Sequence, residues 1–306
     1  MRRNEQMTAA LLVAALATFG CSKTDKTSQT ETQSQHTEQA TPVSMRNDTT
    51  GDKGLNPGAT KVVGPVSFAD GEAAYQAGYF SEATKLFEQY TGEQPRNVWG
   101  HFMLGLSAWK NGDLAKAETA FEEALRIDPD HLKSLVNLSR VLIEQRRFDD
   151  ASGELVHAGD IDPKSAEVHR LLGRTYAAQG RIDESIEAYR AAIALNNKDA
   201  WSMNNLGLLF LERERANDAL PLLARAVELR KDTATFHNNL GMALEHTGRF
   251  AAAASEYRGA INADPGFEKA KRNLARVEAV KLDSEEPFNL EETARGLIEA
   301  ATDSRP

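Results

Sequence analysis

Apolar residues recur along this chain at intervals of three and four, in segments separated by short polar turns such as Asn111-Gly112-Asp113. This interval places apolar side chains on one face of an α-helix, so each segment predicts an amphipathic helix. Neighbouring segments form pairs, which predicts helical hairpins. Proline near the end of a pair, as at Pro95 and Pro129, predicts the end of the second helix because its nitrogen cannot donate a hydrogen bond. The predicted fold class is all-α.

The same pattern returns every 34 residues, six times in succession. Small residues recur in each first helix, at Gly71, Gly105, Ser139, Gly173, Gly207 and Gly241, and in each second helix, at Ala83, Ala117, Ala151, Ser185, Ala219 and Ala253. Larger apolar residues follow at Phe87, Phe121, Leu155, Tyr189, Leu223 and Tyr257. The small residues let helix backbones approach closely, and we expect the larger ones to fill the space between hairpins. One hairpin cannot bury its apolar face alone, so the units must stack.

This repeat defines the domain organisation. The six units are residues 64–97, 98–131, 132–165, 166–199, 200–233 and 234–267, and residues 268–282 form a capping helix. We expect the first unit to be the weakest, because Asp70 stands where the other units have leucine. Residues 283–306 form an acidic tail, in which residues 290–298 have the pattern of one short helix.

The small residues, the larger residues that follow them and the prolines make residues 64–282 resemble the tetratricopeptide repeat (TPR) family. The resemblance implies a right-handed superhelical solenoid whose first helices line a concave groove. It also implies that the groove binds extended peptides or partner helices. It names no partner.

In the family, the second, fifth, ninth and twelfth residues of each unit face the groove, and here they form three zones. The aromatic zone is Trp99, Phe102, Leu106 and Trp109. The basic zone is Lys133, Arg140, Arg170 and Arg174. The asparagine zone is Trp201, Asn204 and Asn238 with their neighbours Asn205 and Asn239, which Asn137 matches in an earlier unit. These residues are the candidate partner-binding residues.

The aromatic zone predicts a protein interface, since exposed apolar patches usually mark partners and buried tryptophan dominates many interfaces. Trp99 and Trp109 are the expected anchors. Two other interpretations stay open: residues 62–68 fold over this zone, or the zone packs against another copy of the chain.

The basic zone favours an acidic peptide or a carboxylate terminus. Local pairing of Glu167 with Arg170, three residues apart, is the alternative. The asparagine zone resembles the asparagine ladder of the O-linked GlcNAc transferase repeats and similar pairs in kinesin light chains. Asparagine both donates and accepts, so it can hold the backbone of any extended peptide. Asparagines that simply face water are the alternative.

The N-terminus predicts export. Arg2 and Arg3 precede the apolar run 11–19, which is too short to span a bilayer, so residues 1–20 read as a signal peptide. The only cysteine, Cys21, follows directly, and this site resembles a bacterial lipoprotein processing site. Ser22, where aspartate would signal inner-membrane retention, favours the outer membrane. Cleavage after Ala17 is the alternative and would give a soluble periplasmic or secreted protein.

Residues 21–63 are rich in serine, threonine and glutamine and predict a disordered tether. A net charge of −9 argues against nucleic acid as a partner. The chain has no phosphate-binding glycine loop, nucleophile elbow or His-Glu-x-x-His motif, so we predict no enzyme activity and no cofactor. His101, His169 and His237 stand two repeats apart, too far for one zinc ion, and we interpret them as packing residues.

These features predict a non-catalytic interaction scaffold, anchored in the outer membrane by lipid and facing the periplasm, that binds an extended segment of another envelope protein. The layout is similar to that of the type IV pilus biogenesis lipoprotein, which implies an assembly factor. Two alternatives remain: a self-associating structural adaptor, and a regulator that positions an envelope enzyme such as a peptidoglycan hydrolase.

Overall fold

A computed structural model describes residues 64–280 and 288–303, and every regular element in these ranges is an α-helix. The helices are α1 (Phe68–Gln76), α2 (Phe80–Glu93), α3 (Val98–Lys110), α4 (Leu114–Ile127), α5 (Leu132–Glu144), α6 (Phe148–Ile161), α7 (Ala166–Ala178), α8 (Ile182–Leu195), α9 (Ala200–Glu212), α10 (Ala216–Leu229), α11 (Ala234–His246), α12 (Phe250–Ala263), α13 (Glu268–Glu278) and α14 (Leu290–Asp303). One pair falls within each predicted unit and α13 follows as the cap, so the predicted all-α solenoid is confirmed. The predicted signal peptide, Cys21 and the tether lie outside the described residues.

In five of the six hairpins, a glycine of the first helix meets a large residue of the second. A Cβ atom added to Gly105 would lie 2.6 Å from the Phe121 ring, and one added to Gly173 would lie 2.7 Å from the Tyr189 ring. The same contact joins Gly71 to Phe87, Gly207 to Leu223 and Gly241 to Tyr257. The large residues therefore pack against the glycine of their own hairpin, and not only between hairpins as the sequence suggested.

The hairpins stack because each second helix contacts the first helix of the next unit. First helices of consecutive units also contact one another, and they do so more closely than consecutive second helices. The first helices therefore lie on the inner side of the stack and the second helices on the outer side. This is the arrangement that the TPR resemblance implied.

The first unit departs from the others at Asp70. Its first helix, α1, has 9 residues where α3 has 13, and it begins at Phe68. Ser67 and Asp70 form a capping box, in which the Ser67 backbone N–H donates to the Asp70 carboxylate over 2.9 Å. Asp70 is thus an exposed capping residue of a shorter helix, which explains why it can replace a leucine that is buried elsewhere.

His101, His169 and His237 each connect two consecutive units. Nε2 of His101 lies 3.1 Å from the Pro95 carbonyl oxygen, and the corresponding distances are 3.0 Å for His169 to Pro163 and 2.9 Å for His237 to Lys231. Each bond fixes the start of a first helix against the loop that ends the preceding unit. The packing role predicted for these histidines is therefore a hydrogen bond between consecutive units.

The C-terminal helix α14 packs against α10, a second helix. Ala294 of α14 is fully buried, and so is Ala224 of α10. Ala224 stands where four other units carry a charge, namely Glu88, Glu122, Arg190 and Arg258. Repeat 5 therefore offers an apolar outer face to this helix. The part of the tail that is described lies on an outer helix, away from the first helices.

Replacing Gly105 with alanine should destabilise the protein by about 1–3 kcal/mol, because the new methyl group would overpack the Phe121 ring. Gly153 is the matched control, since it lies inside α6 with nothing within 4 Å of an added Cβ. Gly153→Ala should stabilise the protein by up to about 1 kcal/mol through helix propensity. Urea denaturation measures both changes, and equal stability of the two variants would contradict the close-contact argument.

His237 should make stability depend on pH. Burial opposes its charge, but the Glu256 carboxylate 2.7 Å from Nδ1 and the Lys231 carbonyl outweigh burial and raise the pKa of His237. Its contribution is therefore complete below the unfolded pKa of about 6.5 and is lost as pH rises through the higher folded value. His237→Gln should lower the free energy of unfolding more at about pH 5.5 than at about pH 8.5 in urea denaturation. His169→Gln is the control, and an equal pH dependence in both variants would contradict this account.

Candidate functional site

The candidate partner-binding residues all lie on first helices, along the inner side of the stack. Helix α3 carries Trp99, Phe102, Leu106 and Trp109; α5 carries Lys133, Asn137 and Arg140; α7 carries Arg170 and Arg174; α9 carries Trp201, Asn204 and Asn205; and α11 carries Asn238 and Asn239. The structure thus places all of them on the first helices. Their exposure differs, however, and this difference separates surface residues from packed ones.

Trp99 is the exposed residue of the aromatic zone. Its side chain is 47% exposed although it is large and apolar. Phe102 and His131 pack against the indole in T-shaped contacts, with ring centroids 5.6 Å and 5.0 Å away. The Lys133 ammonium lies 4.9 Å from the indole centroid, in cation–π range. Trp99 is therefore held in place while much of its surface remains open.

The rest of the aromatic zone is packed. Phe102 is buried, and Leu106 and Trp109 are partly buried against the apolar core. The Trp109 indole N–H donates to Glu144 Oε1 over 3.0 Å, which joins α3 to α5. Phe102 thus packs against the exposed Trp99, while Leu106 belongs to the core. Trp99 is exposed and Trp109 is partly buried against the core, although the sequence analysis expected both to be anchors.

The N-terminal segment does not cover this zone within its described part. Gln89 of α2 donates to the Gly64 carbonyl oxygen over 3.2 Å, and Phe68 packs edge-on against Phe87 and Tyr90 of α2. Residues 64–68 therefore lie along a second helix. Residues 62 and 63, which also belong to the proposed cover, lie outside the described residues.

Two arginines of the basic zone are already paired. Arg140 is 5% exposed, donates to Asn137 Oδ1 over 3.1 Å and forms an ion pair with Glu167. Arg170 donates to the Asp199 carboxylate over 3.2 Å, and Asp199 is itself buried. Burial lowers the pKa of Arg140 to about 9, and the nearby Arg170 and Arg174 add to this effect. Arg140 remains charged near neutral pH.

The pairing differs in part from the local alternative. Arg170 lies 3.8 Å from Glu167, as the spacing suggested, but its shorter contact is with Asp199, the last residue of its own unit and the N-cap of α9. Arg140 pairs with Glu167 of the following unit. Both of these contacts therefore link one first helix to the start of the next.

Arg174 stands apart from the other arginines. It is half-buried and, among the described residues, makes no hydrogen bond or ion pair. Burial lowers its pKa, while Tyr189 and Glu144 oppose that change. Lys110 and Glu144 belong to the same electrostatic group, since both interact with Arg140. The sequence analysis missed these two residues because they are the thirteenth of their units, one place beyond the stripe.

The asparagines bond mainly to one another. Asn273 donates to Asn238, Asn238 to Asn239, Asn239 to Asn204, Asn204 to Asn205 and Asn205 to the Tyr189 hydroxyl, over distances from 2.8 to 3.3 Å. We call these five residues the asparagine chain. Asn204, Asn238 and Asn239 are buried, so their described contacts are structural. Their role in partner binding stays a prediction.

The two remaining candidates also make internal contacts. Trp201 stacks edge-on against Phe236 with centroids 4.6 Å apart, and the Arg230 guanidinium lies 5.7 Å from its ring. Asn137 is buried and donates to the Lys133 carbonyl oxygen over 2.8 Å. Both residues thus help to fix the inner face.

No cluster of metal-ligating side chains occurs in residues 64–280 and 288–303. A search of the same residues finds no helix of the length and apolar character that crossing a membrane requires. The candidate residues themselves offer aromatic surface, charged groups and side-chain amides to a partner.

Comparison with known proteins agrees with this geometry. Models described as tetratricopeptide repeat match residues 68–131 and 204–266 and residues 108–175, and one described as TPR repeat matches residues 173–214. Between them they account for residues 68–266 without a gap. No curated protein sequence matches the chain significantly.

Solved structures share the fold at low identity. MamA from Desulfovibrio magneticus RS-1 is 20% identical with a TM-score of 0.51, covering 53% of this chain and 91% of its own. Cut9, in complex with Hcn1, is 18% identical with a TM-score of 0.59, covering 68% and 41%. YrrB is 16% identical with a TM-score of 0.50, covering 61% and 96%. The chain belongs to the tetratricopeptide repeat family.

Proposed function

We propose that this chain is a non-catalytic scaffold of the bacterial cell envelope that binds an extended segment of a partner protein along its first helices. The exposed Trp99 carries the proposal. An indole that is 47% exposed on a first helix, packed against the buried Phe102, is the kind of residue that anchors protein interfaces. The fold supports it, since TPR proteins bind protein or peptide partners. YrrB, for example, is described as a TPR protein with an unusual peptide-binding site.

The geometry around Trp99 favours a firm contact. Phe102 and His131 pack against the indole in T-shaped contacts, so a partner that covers the indole has little side-chain motion to restrict. Lys133 adds a cation beside the ring. A partner segment with an apolar side chain next to a carboxylate would match both features.

A second candidate function follows from the same residue. An exposed tryptophan on one copy can pack against another copy, which would make the chain a self-associating adaptor. The oligomeric state distinguishes the two candidates, because only the adaptor needs Trp99 to assemble. A regulator that positions an envelope enzyme would use the same groove as the scaffold.

The envelope location rests on residues 1–21, which lie outside the described residues. A charged start, a short apolar run and Cys21 support export followed by lipidation. The lipid would hold the scaffold at the outer membrane, facing the periplasm, with residues 21–63 as a tether. The similar layout of the type IV pilus biogenesis lipoprotein supports a role in assembly of an envelope structure.

Replacing Trp99 with alanine should weaken partner binding roughly thirty-fold, as expected when about 2 kcal/mol of a central aromatic contact is lost. Binding is measured by capture from envelope extracts and then with the purified partner. Val156→Ala is the matched control, because Val156 is 45% exposed but lies on α6, a second helix.

An unchanged set of captured partners in Trp99→Ala would contradict the scaffold proposal as stated. Light scattering tests the adaptor on the same samples. A wild-type dimer that becomes a monomer in Trp99→Ala would favour self-association, whereas a monomeric wild type would remove that candidate.

Cells that express the full chain should incorporate labelled palmitate into it, because a lipoprotein cysteine is acylated after export. Cys21→Ser is the control and should lose both the label and membrane association, as measured by autoradiography and membrane fractionation. An unlabelled wild-type chain in the soluble periplasmic fraction would contradict lipidation and support cleavage after Ala17.

A further inference from the structure

The outward side of α10 differs from that of every other second helix. Pro221 and Glu228 are half-buried and Ala224 is fully buried, whereas the equivalent residues of the other five units are all exposed. These three positions share one side of the helix, because they are separated by three and four residues. We call them the α10 strip. The fifth unit, residues 200–233, therefore has a covered surface where the other units face solvent.

Helix α14 covers the α10 strip, and small residues allow it to do so. Ala294 of α14 and Ala224 of α10 are both fully buried. The distance between two packed helices depends on the side chains at their contact, so alanine on each helix permits a close approach. A large or charged side chain at either alanine would force the two helices apart.

The stack of hairpins is complete without α14. Helix α13 already caps the sixth hairpin, with Ala270 and Val277 buried. Among the described side chains of α14, only Ala294 is buried, while Leu290 and Thr293 are half-buried. An alanine side chain removes little apolar surface from water. Release of α14 would therefore uncover one strip and would open no hairpin.

Gly296 weakens α14 without a steric reason. Glycine inside a helix is unfavourable relative to alanine, because it loses more conformational freedom on folding. No atom lies within 4 Å of a Cβ added at Gly296, so no close contact requires glycine there. The sequence of α14 therefore favours a helix that can leave its place.

The connection to α14 is long enough to reach another molecule. It comprises residues 279–289, eleven residues between α13 and α14, which can span up to about 36 Å. Within one chain it passes α12 to reach α10, and two helix spacings amount to roughly 20 Å. The connection therefore does not confine α14 to the α10 strip of its own chain.

We infer that the α10 strip is a second interaction surface, and that its partner is α14 of another copy of this chain. The inference goes beyond the proposed function, because it concerns second helices. Exchange keeps every contact of α14, since the same side chains meet within one chain or between two. The remaining cost is that of association. A chain that gives its α14 away opens its own strip, so the exchange is reciprocal and closes as a dimer.

The exchanged dimer has a consequence for partner binding. The exchanged contact lies on a second helix, whereas the candidate partner-binding residues lie on first helices. Each dimer would therefore carry two sets of these residues. A partner with two binding segments would be held more tightly by a dimer than by a monomer, through effective concentration.

The experiment mixes two full-length variants. Ala224→Glu keeps α14 but blocks the strip, and Ala294→Glu keeps the strip but carries a helix that cannot pack. Each variant alone should be monomeric, and an equimolar mixture should form a one-to-one dimer, as measured by size-exclusion chromatography with light scattering. The matched control is Asn217→Glu, which adds the same charge at an exposed residue of α10. Mixed with Ala294→Glu, it should give at least about ten-fold less dimer, because its own α14 still occupies its strip.

A mixture that stays monomeric, although circular dichroism shows both chains to be folded, would overturn the inference. The same mixture is repeated with Trp99→Ala in both chains, and the dimer should persist. Its disappearance would assign the association to Trp99 and not to α14, which would also overturn the inference.

A peptide provides a second measurement in case Ala224→Glu does not fold. A fluorescent peptide of residues 288–306 should bind the Ala294→Glu chain saturably in an anisotropy titration. It should bind the wild-type chain at least about ten-fold more weakly, since the attached α14 competes. Gly296→Ala in the peptide should tighten binding about five-fold through helix propensity. Absence of binding, or equal binding to the wild-type and Ala294→Glu chains, would contradict exchange at the α10 strip.

Discussion

The contact of a glycine on the first helix with a large side chain on the second sets the geometry of five of the six hairpins, and Ser139 takes the place of the glycine in the third. At Gly105 and Gly173 an added Cβ would come within 2.7 Å of the opposing ring, so the two backbones lie as close as their side chains permit. Because the contact recurs at the same place in these units, the hairpins share one shape and can stack in one register. The inner face of first helices, where the candidate site lies, is a consequence of this repetition.

The sequence predicted the hairpins well because several sets of residues shared one period and each had a separate steric reason. It was less informative where one residue could serve two roles. Asp70 led us to expect a weak first unit, and in the structure it completes, with Ser67, the capping box that begins a shorter α1. The sequence contained one sign that α14 packs on α10, namely Ala224, an apolar residue at a position that is charged in four other units. This sign can be interpreted only once α14 is seen to cover Ala224.

The sequence could predict which helices carry the candidate residues, but not whether each side chain is exposed or already paired. The residues do lie on first helices, because that depends on helical periodicity alone. Whether a side chain there is open or bound depends on residues about one unit away, such as Glu167 for Arg140 and Asp199 for Arg170. No spacing rule within one helix gives those partners. Trp99 stays exposed while Phe102, three residues later on the same helix, is buried, and a stripe assigns them the same role.

The asparagine chain has a polarity. Each bond between units runs from the amide nitrogen of the later unit to an oxygen of the earlier one, from Asn273 back to the Tyr189 hydroxyl. Rotating one of these side-chain amides by half a turn would place nitrogen against nitrogen on one side and oxygen against oxygen on the other. The orientation of one amide therefore determines that of its neighbours. The orientations of the side-chain amides are therefore coupled from α13 to α8, which a single repeat could not achieve.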